Sequence, residues 1–277
     1  MKQLPSLSSQ IYCMPWAILP PAHADLGKMY RSYLEGSLPQ ALNQRGSKSS
    51  GIAYEVDHVS GIAVLALEGI IAKHSPDILC GPPVLDVAKL DELIEKLMAD
   101  ELIHTVVFYL NSPGGTVIGL KETAQNIRDL SEEKRTVAYT DYQCCSAAYF
   151  LAVACDEVYS APTAMIGSIG TYLAALDSSR AYEMEGFELK LFKVGAVKAT
   201  GHPGKKWSEE EEKYLQGLAD EAGGDFRSWV KSRRPEIDDS SMEGQVFFAE
   251  TAPAGLIDGQ HRDVARLVAV LMQGNEI

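Results

Sequence analysis

With 277 residues, 46% hydrophobic and 23% charged, the chain has the composition of a globular protein and the length to bury a substantial core. Its 25 basic and 38 acidic residues leave a net charge of −13, which argues against nucleic acid as a partner, since a phosphate-binding surface needs clustered Lys and Arg. The five cysteines (13, 80, 144, 145 and 155) show no zinc-type spacing, and no metal or other cofactor is expected; a reducing compartment suits them best.

In chain order, Lys2, the apolar stretch from Ile11 to Leu19 and Ala22-His23-Ala24 have the outline of a weak secretory signal, but Pro15, Pro20 and Pro21 interrupt it. No later stretch has the ~18 apolar residues of a membrane span. The expectation is a soluble, unprocessed, cytoplasmic protein. Residues 1–50 read as an extended arm with one short helix (Ala24 to Glu35), closed by the polar linker 43–50, so a domain is expected over 51–277.

From Gly61 the pattern changes. Ile62 to Leu67 is a short apolar run typical of a buried strand. Gly81-Pro82-Pro83 marks a loop, and Leu85 to Met98 has helical apolar spacing at Val87, Leu90, Leu93, Ile94 and Leu97. Thr105 to Leu110 is a second buried strand, followed by Asn111-Ser112-Pro113-Gly114-Gly115 and a helix from Val117 to Leu130. Thr136 to Thr140 is a third strand, leading to Ser146 and a small-residue helix, Ala147 to Ala154. A short strand (Asp156 to Tyr159), Gly167-Ser168-Ile169-Gly170, a helix near 178–186 and a strand over 188–194 follow. Ser208-Glu209-Glu210-Glu211 opens a long charged helix to Lys231 with a capping-box signature. Buried strands alternating with helices predict an α/β fold with parallel strands.

Chemistry concentrates where two successive strands end, the place where open α/β sheets put their ligands. Gly114 and Gly115 permit close backbone approach and leave amides free of side chains, as an oxyanion site requires. Ser146 stands at a strand-to-helix junction with the Ala147 amide following it. Each motif alone is a common turn or helix start; their order and separation make the pair specific. A serine hydroxyl needs a base. None of the six histidines (23, 58, 74, 104, 202 and 261) falls between Ser146 and Gly201, so a lysine freed by desolvation is the alternative, from among Lys190, Lys193, Lys198, Lys205 and Lys206. Cys145 is the competing nucleophile.

The stretch from about Gly61 to Gly259 resembles the signal peptide peptidase A family. The matching pieces occur in that family's order: Asn111 to Gly115, Ser146-Ala147-Ala148-Tyr149, Gly167 to Gly170 and Lys193 to Lys198. Gly244-Gln245-Val246-Phe247 and Ala254-Gly255-Leu256-Ile257-Asp258 complete the set. The resemblance implies a Clp protease/crotonase-like fold of repeated β-β-α units with a parallel sheet, carrying an N-terminal arm and C-terminal helices. It implies a Ser-Lys dyad with Ser146 as nucleophile and Lys198 as general base, Ser168 orienting the lysine, and oxyanion donors at Gly115, Gly114 and Ala147. Lys193 is the second candidate base. Many members have glycine after the nucleophile where this chain has Ala147.

Gln10-Ile11-Tyr12 and Pro15-Trp16-Ala17-Ile18-Leu19-Pro20 resemble the opening of phage and prophage members, which cleave scaffold and capsid proteins during head maturation. The alternative within the family is a stand-alone cytoplasmic peptidase. The resemblance further implies unfolded or extended polypeptide substrates and a homo-oligomeric ring with shared active sites. Two rival classes are a crotonase-like acyl-CoA enzyme, for which Ser146 and Lys198 would be incidental, and a non-catalytic capsid assembly subunit.

Overall fold

The computed structural model describes residues 11, 14–34, 51–73 and 83–274. The linker 43–50 and Gly81-Pro82 lie outside the described residues. Strand β1 (Trp16–Ile18) and helix α1 (Pro20–Leu34) come first. β2 (Ile52–Asp57) then turns back along β3 (Ile62–Glu68). From there the chain repeats one device: a long strand, a short strand that leaves the plane of the first, and a helix.

The first unit is β3, β4 (Ile70–Ala72), the extra strand β5 (Val84–Asp86) and α2 (Val87–Ala99). The second is β6 (Thr105–Asn111), β7 (Gly114–Thr116) and α3 (Leu120–Glu133); the third is β8 (Arg135–Thr140), β9 (Gln143–Cys145) and α4 (Ala147–Ala152). β10 (Glu157–Ser160) and β11 (Met165–Gly167) open a fourth. The long strands β3, β6, β8 and β10 lie side by side in parallel, flanked by antiparallel β2 and by β13 (Gly259–Gln260). The short strands form two smaller sheets, β1-β7-β4-β5 and β12-β11-β9, where β12 is Val246–Phe248. A parallel bridge between Ser112 and Cys144 joins their edges. The fold is thus α/β with repeated β-β-α units.

The period of two in the long strands explains why they read as continuous apolar runs. Val106, Phe108 and Ala138 face the main core with α2, α3 and α4, whereas Val107, Val137 and Tyr139 face the other side, covered by Leu267 and Leu271 of the last helix, α7 (Val264–Met272). Both faces of the sheet are buried.

Several boundaries differ from expectation. Leu85 belongs to β5, and the helix begins at Val87 with the Asp86 side chain capping the Ala88 amide. The next helix begins at Leu120 because Gly119 takes φ +82°, which no helix interior allows. The expected strand over 188–194 does not form. Phe192 and Val194 are 96% and 95% exposed, and without a neighbouring edge an alternating apolar run gains no ladder. Between α5 (Ser179–Met184) and the capped helix α6 (Glu209–Arg233) the chain runs irregularly over the surface. None of the described helices is long and apolar enough to cross a membrane.

Candidate active site

Ser146 follows β9 and is the N-cap of α4, with φ 57° and ψ −120°. Among the described residues, the non-glycine residues at positive φ are Ser146 and Ser168 (φ 53°). A side chain held there costs about 1–3 kcal/mol and persists only where the surroundings impose it. The surroundings are identifiable. The Ser146 amide donates to the Gly167 carbonyl at 2.8 Å and the Ser168 amide to the Gln245 carbonyl at 2.6 Å. β9 and β11 run parallel with Cys145 opposite Gly167, so the two strained serines follow side by side at the ends of neighbouring strands.

Helix α4 is held rigidly behind Ser146. All of Ala147 to Cys155 is buried. The Tyr149 hydroxyl donates to the Leu256 carbonyl at 2.8 Å, and the Trp229 indole N–H donates to the Phe150 carbonyl at 3.0 Å. Phe150 also stacks on Trp229 with ring centroids 5.5 Å apart. The segment 254–258 therefore braces the site. Leu256 anchors Tyr149, and Asp258 accepts from the two terminal guanidinium nitrogens of Arg234 at 2.6 Å and from the Val158 amide at 2.7 Å. Burial pushes the Asp258 carboxyl up, but those donors outweigh it and hold it below the ordinary range.

The amides expected to form an oxyanion site differ in availability. Phe150 N–H to Ser146 carbonyl, 3.0 Å, is the first bond of α4, which leaves the Ala147 amide among the first-turn donors without an intrahelical acceptor. Gly114 (φ 101°) packs directly on the serine: a Cβ added there would stand 3.0 Å from the Ser146 Cβ and 2.2 Å from the Ala17 carbonyl oxygen. Its amide, however, donates to the Ser112 hydroxyl at 3.1 Å, so Gly114 serves as a close-approach residue and not as a donor. Gly115 lies opposite Ala17 in the antiparallel β1–β7 pair. The Leu19 amide bonds the Pro113 carbonyl at 2.9 Å. Antiparallel pairs alternate in type, so Ala17/Gly115 is also a hydrogen-bonded pair, and the Gly115 N–H is aimed at the Ala17 carbonyl.

Ser146 is 1% exposed, and among the described residues its hydroxyl reaches only the Gly170 carbonyl, at 3.5 Å, too long for a firm O–H···O bond. Cys145 is no competitor. Its thiol is buried, pushed up to about 12 by desolvation, and points to the Met165 carbonyl; burial also pushes the Cys144 thiol well up, so neither supplies a thiolate. Both cysteines are buried strand residues.

Lys198 is exposed on the irregular segment between α5 and α6, and among the described residues no hydrogen bond or ion pair joins it to Ser146 or Ser168. The other lysines there are engaged. Lys193 reaches the Ala196 carbonyl and lies 3.7 Å from Glu211; Lys205 bonds Glu211 directly. Lys190 faces Glu188 at 3.8 Å; Lys206 contributes only its charge to the surroundings of Asp177. Glu211 is fully buried at the start of α6, and although desolvation pushes it up, Lys205 and the Ser208 donors bring it down to about 2. Sequence reasoning missed β1, whose three residues between Pro15 and Leu19-Pro20 form a bounded apolar run, and it missed the roles of Ser112, Tyr149 and Leu256.

The model of Peptidase family S49 matches residues 128–277. A Methanocaldococcus jannaschii protein named "Putative protease MJ0651" is 28% identical over 170 residues, covering 60% of this chain and 55% of its own length. The capsid assembly protease C of Escherichia phage lambda is 27% identical over 171 residues, 61% of this chain and 38% of that protein. This chain thus spans about half, or less, of those relatives. Among solved structures, an enoyl-CoA hydratase/isomerase family member is 16% identical, covers 80% of this chain and 76% of its own, and has a TM-score of 0.44.

Proposed function

Because this chain belongs to peptidase family S49, we propose that it is a serine endopeptidase in which Ser146 is the nucleophile and Lys198 its general base. The observation that carries the reading is the pair of strained serines, 146 and 168, imposed on neighbouring strand ends by a rigid core. Strain of this kind gathers at sites where a side chain must be presented at a fixed angle. The Ser146 Oγ attacks the scissile carbonyl carbon and its proton passes to the lysine amine. The Ala147 amide, with Gly115 once its own acceptor has left, holds the developing oxyanion. The lysine then protonates the leaving amine, and water releases the acyl group from Ser146.

A lysine acts as a base where burial has stripped it of water. The exposed position of Lys198 therefore calls for a cover. Phe192 and Val194, nearly fully exposed beside it, supply the apolar surface a second copy of the chain would bury. On this reading the ring completes the dyad, with Ser168, whose hydroxyl has no hydrogen bond among the described residues, orienting the incoming amine. The name of the lambda relative favours a role in capsid assembly, with scaffold or capsid polypeptide as substrate.

The test compares wild type, Ser146→Ala and Lys198→Ala on casein and a peptide library, alongside fluorophosphonate labelling. Each substitution is expected to abolish cleavage while leaving the oligomer intact, and Ser146→Ala to abolish labelling. Full activity in Ser146→Ala would refute the proposal. CoA-thioester binding without any adduct would favour the acyl-CoA alternative.

A further inference from the structure

Strand β1 lies where an extended polypeptide would have to lie to be cut. It is held on one side by β7, with Trp16, Ala17 and Ile18 opposite Thr116, Gly115 and Gly114. On the other side, Trp16 exchanges backbone hydrogen bonds with Tyr172, at 2.8 and 3.0 Å. Both rims adjoin Ser146: Gly114 packs on its Cβ, and the Tyr172 rim begins two residues after Gly170, whose carbonyl lies 3.5 Å from the Ser146 hydroxyl. The Ala17 carbonyl meets the Gly115 amide, the position a scissile carbonyl would take. With the strand in place Ser146 has almost no exposed surface.

We propose that the groove between Gly114–Thr116 and Tyr172 is the slot for a substrate strand, and that Trp16–Ile18 is its intramolecular occupant, a pseudosubstrate that an incoming peptide must displace. The inference rests on the peptidase reading of Ser146. The slot gives main-chain hydrogen bonds on two sides, so its ligands are extended peptides recognised by strand addition. The two flanking side chains of the occupant lie outside the main core. Trp16 and Ile18 pack with Leu26 and Ile70 in a small cluster separate from the main core, with Tyr172 at its margin. Ala17, by contrast, is fully buried against the main core, as a small side chain beside the nucleophile would be.

The test is a reversible lock in the full-length chain: Trp16→Cys with Thr116→Cys, cross-strand neighbours in β1 and β7. Under oxidation, peptide hydrolysis should fall about tenfold or more, because apparent substrate affinity scales with the fraction of molecules whose slot is open, and reductant should restore it. Where the reduced form is active, equal activity in the oxidised form overturns the inference. Ala17→Pro, which removes a strand donor, provides the opposite perturbation. It should speed fluorophosphonate labelling of Ser146 and lower KM; unchanged labelling and KM overturn the inference just as surely, and this variant decides the matter if the reduced cysteine pair is itself inactive. The two readings fail separately: cleavage by Ser146→Ala removes the catalytic assignment, whereas an inert Ser146→Ala together with a fully active locked pair removes only the pseudosubstrate.

Discussion

Replacing Ser146 by glycine should make the protein more stable and catalytically dead. At φ 57° and ψ −120° the serine Cβ is held in a region that favours glycine, at a cost of about 1–3 kcal/mol. Glycine removes that strain but loses about 0.5–1 kcal/mol through the greater freedom of its unfolded chain. The net gain is about 1 kcal/mol. Ser146→Ala is the control. It keeps the Cβ and therefore the strain, and it gives up only the 3.5 Å contact to the Gly170 carbonyl, which is too long to contribute much. The two variants should differ by about 1 kcal/mol, equivalent to ~2–3 °C in Tm for a chain of this size. Urea titration and thermal melts of wild type and both variants at one pH measure the difference. If the glycine variant melts at or below the alanine variant, the backbone at 146 is not strained and the argument from strain to function fails.

Other outcomes follow from the same geometry. Lys193→Ala should keep peptide hydrolysis close to wild type, since its ammonium serves Glu211 and the Ala196 carbonyl, while loss of a true base costs ~10²–10⁴-fold; steady-state kinetics on one peptide distinguishes these. Tyr149→Phe leaves the Leu256 carbonyl without its donor and should cost about 1 kcal/mol in urea denaturation. Asp258→Asn should destabilise the protein by about 1 kcal/mol at pH 7, by weakening its pair with the buried Arg234, a pair that solvent screens from the one-third-exposed Asp258 side. The pH dependence has a definite sign. The Asp258 carboxyl is held low in the folded state, so its contribution is complete above the ordinary carboxylate pKa and is lost as pH falls through the depressed value. Wild type and Asp258→Asn should therefore converge in Tm only in strong acid; an unchanged gap there would contradict the ion-pair account.

Much of the architecture was legible because its signals are local. β3 and β6 are buried on both faces, so each carries a continuous apolar run, and α6 announces itself through Ser208 and Glu211, which form the capping box. The junction at Ser146 was legible as a strand running into a small-residue helix. The short strands were not. β7 and β9 have three residues each, and a three-residue strand has no periodicity to detect; Gly114 to Thr116 becomes a strand only because β1 and β4 lie on either side of it. The same holds in reverse for 188–194, where the pattern was present and the partner edge was absent. The distinction between the Gly114 and Gly115 amides was also invisible, since it depends on the Ser112 hydroxyl turning back onto Gly114.

That last distinction bears on how such a site can be kept silent. Ser146, the proposed nucleophile, its strained backbone and the Ala147 amide are all fixed by the core behind α4, so they would cost no reorganisation when substrate arrives. What remains unset lies outside that core. Lys198, the proposed base, sits on an exposed segment without a ladder, and the Gly115 amide, the proposed second oxyanion donor, faces β1. On the proposed reading, activity then has two independent conditions, a lysine covered by a neighbouring copy and a slot vacated by Trp16–Ile18. Neither requires the catalytic core to change shape. A variant that opens the slot but cannot assemble should label slowly and cleave nothing, whereas one that assembles with the slot locked should show the oligomer without the activity. The two conditions can therefore be separated by measuring oligomeric state and labelling rate on the same samples.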